Sequence, residues 1–415
     1  MGGSVLVPLP ARALLLILAL LLAGSACSQD VRIQPPRPTA STAARGALAQ
    51  DALDALERSI GSGDRQDAES LAAPGSAAQL GSVLTNATAL GITDLDLRYV
   101  DEGPPLSEAE QASFGVGAWS GTVDLTYGYR GFDKNPARVE TDLVFVPQGD
   151  GVRLGPFGGG NDVRTPLWLV DELAVVRTAR TLVAVAGGTA GRYPGLVAEA
   201  VREVQRVLGS WRGKLVVEVP ESGAQLDAAL QATPGQYANI AAVTTTADGA
   251  LDPAAPVRIL VNPTVFGKLR PRGAQVVMTH EATHAALAAP FATMPTWLLE
   301  GFADYVALDR AGVPVSLAAG QILRKVRKEG LPDGLPTSED LSPTANGLGA
   351  TYEEAWLACR FLAEKYGAAK ILAFYRAVDS GASASEAFKS VLDTTEGRFV
   401  ADWRRDVARL AGVAG

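Results

Sequence analysis

The spacing of apolar residues divides the chain into stretches of different period. Leu48, Ala52, Leu56 and Ile60 recur every four positions and Gly61 can end the turn, so the first stretch predicts an amphipathic helix, with a shorter helix over Asp67 to Leu71. Alternation then takes over: Leu95, Leu97 and Tyr99, then Trp119, Val123, Leu125, Tyr127 and Tyr129, then Val139, Leu143 and Phe145 mark the apolar sides of extended segments. Leading helices followed by long antiparallel strands predict an α+β domain over residues 46–165, with a curved sheet laid over a helix.

Beyond the glycine-rich run Gly155 to Asn161, read as a linker, shorter elements follow. Strands are expected at Leu182 to Val185, Leu215 to Val219, Ile240 to Thr245 and Val257 to Val261, with a helix over Leu196 to Leu208, so a mixed sheet precedes a helical C-terminal lobe. In that lobe the Pro- and Gly-rich stretch Gly330 to Gly349 reads as a loop at a cleft rim. Thr351-x-x-Glu354 has the form of a capping box, followed by the buried stripe Trp356, Cys359, Leu362, Ala363 and Tyr366 and a stop at Gly367. Lys370 to Leu410 predicts two or three packing helices anchored by Phe399 and Trp403.

The chemistry concentrates in one place. Both histidines of the 415-residue chain fall four positions apart in His280-Glu281-Ala282-Thr283-His284. On a helix this spacing puts two imidazoles on one face and turns Glu281 about 100° away from the first. Two neutral imidazole nitrogens supply half of a tetrahedral zinc shell, leaving the adjacent carboxylate free to take a proton from water. A third ligand is offered by Pro295-Thr296-Trp297-Leu298-Leu299-Glu300-Gly301-Phe302-Ala303-Asp304-Tyr305, where Thr296 can cap a helix carrying Glu300 and Asp304 one turn apart. Glu300 is assigned as the ligand and Asp304 as the acceptor for the free N–H of a ligating histidine.

At these residues the chain resembles the gluzincin metallopeptidases, the clan of thermolysin and the zinc aminopeptidases. His280, Glu281, His284, Glu300 and Asp304 match its pattern position by position, and the W-L-x-E-G-x-A-x-Y wording is similar to the bacterial peptidase-MA-like branch. Fifteen residues separate His284 from Glu300, fewer than in the clan's aminopeptidases, and their G-x-M-E-N strand is absent, so exopeptidase specificity is not implied. The resemblance extends over residues 175–415. It implies a zincin-like domain, a Zn2+ cofactor, a peptide or protein substrate paired along the sheet edge at Ile240 to Thr245, and an oxyanion donor for which Tyr352 is the candidate. The order of elements in 46–165 resembles the cone-shaped fold of nuclear-transport-factor-like and ketosteroid-isomerase-like domains. That stretch has no His or Cys, and a structural or protein-binding role is favoured over a small-ligand site.

A net charge of −8 argues against nucleic acid as the partner. The N-terminus has Arg12, an unbroken apolar run from Ala13 to Ala23 and then Gly24-Ser25-Ala26-Cys27. Eleven apolar residues are too few to cross a bilayer core of about 30 Å as a helix but suit a secretory signal, so residues 1–27 are expected to direct export. The small residues before Cys27 resemble a lipobox, which implies lipidation at Cys27, a membrane anchor on the outer face and a flexible tether over 28–45. Secretion is the outcome if Cys27 is not modified. Cys359 then has no disulfide partner and is expected to be a buried, inert thiol. The functional expectation is zinc-dependent peptide hydrolysis with Glu281 as general base; the alternative is an envelope scaffold protein whose zincin fold is not proteolytic.

Overall fold

Helix α1 occupies Thr42–Ser62 and packs Ala49, Ala52, Leu53 and Leu56 inward at spacings of three and four; of the expected stripe Ala52 and Leu56 are buried and Leu48 and Ile60 partly so, and the helix starts inside the stretch read as a tether. The structure is a computed structural model describing residues 42–158, 162–342 and 345–414, which belong to one compact unit. Cys27, the signal and most of the tether lie outside the described residues.

After α1 come α2 (Arg65–Ser70), α3 (Ala77–Leu90), β1 (Ile92–Glu102), α4 (Glu108–Phe114), β2 (Trp119–Tyr129), β3 (Ala137–Gln148) and β4 (Gly151–Phe157). These strands form one antiparallel sheet in the order β1-β2-β3-β4. Its apolar side, including Val123, Leu125, Val139, Leu143 and Phe145, packs on α1 and α3. The glycine run read as a linker begins inside β4 instead. Gly155 is needed there because a Cβ would lie 2.7 Å from the Cβ of Val144, and Asn161 lies outside the described residues.

The second sheet takes β5 (Leu173–Arg177), β6 (Thr181–Ala186), β7 (Leu215–Val219), β8 (Ala242–Thr246) and β9 (Val257–Val261), in the order β5-β6-β7-β9-β8. The central pairs are parallel and the two outer ones antiparallel, so the sheet is mixed. Between its strands lie α5 (Tyr193–Leu208) and α6 (Gly223–Leu230), and after them α7 (Pro263–Phe266). Every residue of β6 is buried. Val183 and Val185 face the core shared with the C-terminal helices, whereas Leu182, Ala184 and Ala186 face the core of the first half. A strand covered on both sides reads as a continuous apolar run, which is why period alone does not show what it packs against.

The remaining elements are helical: α8 (Pro271–Ala286), α9 (Thr296–Leu308), α10 (Val315–Ala318), α11 (Gly320–Glu329), α12 (Leu348–Tyr366), α13 (Ala368–Asp379), α14 (Ala384–Leu392) and α15 (Glu396–Ala411). The architecture is α+β, with an antiparallel sheet, a mixed sheet and a helical C-terminal lobe. Phe399, Trp403 and the free thiol of Cys359 are fully buried, and burial pushes the Cys359 thiol well above its ordinary pKa.

Two local readings need correction. Helix α9 does not use Thr296 as its cap: Pro295 occupies that position, and the Thr296 hydroxyl meets the Ser338 hydroxyl at 2.7 Å. Thr296 is the first helical residue, one position too late to satisfy the first-turn amides. Nor does Thr351 cap α12, which starts a turn earlier after Gly347 in a left-handed conformation (φ 74°), so Thr351 and Glu354 lie inside the helix and are buried.

Candidate metal centre

Helix α8 is fixed on its inner side by Ala274, Met278 and Ala282, which join the core beneath the mixed sheet. The opposite stripe carries His280 and His284. Helix α9 comes in beside it and is itself pressed against α12. Gly301 makes that approach feasible, because a Cβ there would collide with the Ala355 carbonyl and lie 3.0 Å from the Cys359 sulfur. The glycine after Glu300 thus sets how closely the carboxylate helix is held.

The two helices bring three side-chain atoms to one point. His280 Nε2 and His284 Nε2 are 2.9 Å apart, and Glu300 Oε2 lies 3.2 Å from the first and 3.3 Å from the second. A tetrahedral ion with ligands at about 2.0–2.1 Å would span ligand–ligand distances of about 3.3 Å, so this triangle is close to three corners of such a shell. The set of two nitrogens and one carboxylate oxygen fits a divalent cation. His280 Nδ1 lies 2.8 Å from Asp304 Oδ1, so a proton held between them leaves the Nε2 lone pair facing the triangle.

The electrostatics follow from crowding these groups out of water. Burial opposes a charge on His280, but the adjacent carboxylates of Asp304 and Glu300 outweigh it and hold the imidazole well above its ordinary pKa. Burial likewise opposes ionisation of Glu300, yet His284 and His280 pull its pKa far below the carboxylate range. A metal ion competes with protons for such a donor set, so its binding there would weaken as the pH falls.

Glu281 lies at the edge of this arrangement and takes no part in the triangle. The Thr244 hydroxyl, on β8, donates to Glu281 Oε2 at 2.7 Å. Sequence reasoning missed Thr244. Its position on the sheet edge expected beside the site was the available signal. Strand β8 is indeed the outer strand of the mixed sheet, and its residues Ala242 to Thr244 wall a cleft of about 220 Å³ shared with His280, Glu281 and Glu300. Tyr352 on α12 lines the same cleft. Burial, then the fields of Glu300, Asp304 and Glu281, raise its pKa, so the phenol stays protonated and able to donate. Of the loop expected at this rim, residues Gly330 to Thr337 and Asp340 line a separate cleft with α11 and α12, and Ser338 meets Thr296 at the start of α9. No family model matches the chain, and no curated protein matches it.

Proposed function

We propose that the chain is a metal-dependent peptidase, with His280, His284 and Glu300 as the ligands of a zinc ion. The observation that carries this reading is the triangle of two imidazole nitrogens and one carboxylate oxygen with edges of 2.9–3.3 Å, beside an acid outside it. Such an ion supplies Lewis acidity, which acidifies water and polarises a carbonyl. Asp304 keeps the His280 ring in the tautomer and orientation that presents Nε2. Glu281, steadied by Thr244, takes the proton of the attacking water and returns it to the leaving amine. Tyr352 donates its hydroxyl proton in a hydrogen bond to the developing oxyanion. The outer edge of β8 pairs with no other strand among the described residues, which suits an extended peptide laid along it.

Export and lipidation at Cys27 belong to the same reading and rest on the sequence. On this reading peptide cleavage takes place on the outer face of the cell membrane, or after secretion if Cys27 is not lipidated, with the first half as a structural or protein-binding surface. The test is a cleavage assay on a denatured protein mixture, paired with metal analysis of the purified chain. Cleavage that stops on chelation, returns with zinc and disappears in Glu281→Gln supports the reading. A chain that takes up no stoichiometric zinc, or a Glu281→Gln variant that cleaves as well as the parent, overturns it.

A further inference from the structure

A cleft of about 640 Å³, sharing no lining residue with the one at the candidate metal site, lies between α11, the loop 330–340 and α12. Its size is that of a small-molecule site. Ile322, Leu331 and Leu335 give it apolar walls, and Glu354 and Thr351 lie at its floor. Glu354 is only 6% exposed, and among the described residues no hydrogen-bond donor reaches its carboxylate and no basic group approaches within ion-pair distance. Buried carboxylates are ordinarily paired, so this one lacks a partner in a place that has room for one.

The charges indicate what the partner is. Lys325 is the single basic residue of the cleft, against Glu329, Asp333, Asp340 and Glu354. An anion is therefore disfavoured. A metal ion is disfavoured as well, because His280, His284 and Glu300 form the one group among the described residues whose ligand atoms converge closely enough to hold it. A protonated nitrogen on an apolar stem meets both the carboxylate and the walls.

We propose that this cleft binds an alkylammonium group, with the cationic nitrogen on Glu354 and the hydrocarbon against Ile322, Leu331 and Leu335. Burial raises the Glu354 pKa to about 7, with Lys325 opposing and Asp340 adding to the rise, so near neutral pH a bound cation draws the carboxyl towards its ionised form. Such a nitrogen can come from a free amine or from a lysine side chain of a peptide. The site is independent of the reading given for the metal centre.

Calorimetric titration of the full chain with hexylammonium, 1-hexanol and Nα-acetyl-lysine methylamide tests it. Hexylammonium is expected to bind about tenfold or more tightly than 1-hexanol, the difference made by one charge-assisted hydrogen bond. Glu354→Gln should lose that advantage, and Lys325→Gln, which removes the competing cation, should strengthen amine binding. The opposite signs separate a charge-reading site from general damage to the fold. Stronger binding of the lysine derivative than of hexylammonium assigns the nitrogen to a peptide, and the reverse assigns it to a free amine; both support the proposal. Absence of hexylammonium binding, equal binding of 1-hexanol, or an unchanged affinity in Glu354→Gln overturns it.

Discussion

Two buried polar clusters among the described residues differ in whether an arginine lies inside them. In the first, Arg258 is 1% exposed and grips Asp133 through two bonds of 2.8 and 2.6 Å, while its guanidinium lies 4.4 Å from the centre of the Tyr129 ring. Glu218, beside them, accepts from the Tyr129 hydroxyl at 2.7 Å. Its pKa is raised by burial and drawn back by Arg258. This cluster joins the two sheets and contains its own cation. In the second, two histidines and Glu300 converge, and no Lys or Arg pairs with Glu300 or Asp304 among the described residues. The first is a structural fastening and the second a set of converging donor atoms, although both consist of ionisable groups in a largely dry interior.

The largest effect that would test this contrast is on catalysis. Glu281→Gln is expected to lower kcat by about 10²–10⁴-fold while zinc stoichiometry is unchanged, because only the proton acceptor is lost. Loss of zinc in that variant would place Glu281 among the ligands and blur the distinction drawn here. Next comes Arg258→Met, which leaves two buried carboxylates uncompensated and should lower stability by about 3–5 kcal/mol in urea unfolding without changing zinc content. A cost below about 1 kcal/mol would mean that the self-contained cluster is not a fastening.

Asp304→Asn sharpens the same comparison at lower cost. The His280 ring would lose its anionic support, and zinc affinity measured by competition with a chelating dye should fall by about 10–100-fold, while urea stability of the metal-free chain changes little. The smallest effect concerns Glu354, which belongs to neither cluster. Its folded pKa, raised by burial to about 7, exceeds that of an exposed glutamate, so its favourable contribution is complete below about pH 4.5 and lost as the pH rises through 7. Relative to Glu354→Gln, the parent chain should lose on the order of 1–2 kcal/mol between pH 5 and 8, the burial being incomplete. Parallel pH profiles for the two proteins would remove the assignment.

The candidate metal site was largely legible in the linear pattern, since His280 and His284 need only helical period to share a face, with Glu281 beside it, and Glu300 and Asp304 need the same period one helix later. The edge strand beside them was legible too, within a residue or two. Thr296 and Thr351 were misread because a capping pattern is short and recurs by chance. Pro295 and Gly347 set where those helices begin, and a residue displaced by one to four positions exchanges a solvent-facing cap for a buried side chain. Arg258 and Glu218 gave no signal, as a charged residue inside a short strand has the same appearance in sequence whether its neighbours are water or Asp133, 125 positions away.

By itself, then, the sequence determined which side chains could act together along one helix: local geometry is fixed by the backbone period, and the amino acids declare their own chemistry. Only the tertiary structure decided that Glu300 reaches the histidines at 3.2 and 3.3 Å, that Tyr352 and Thr244 border the same cleft, that Arg258 pairs with Asp133, and that Glu354 lines a cleft of its own. Those outcomes depend on how closely α9 can lie against α12 and on which face of a doubly buried sheet each residue takes. Such distances arise from contacts between segments far apart in the chain, and no local pattern encodes them.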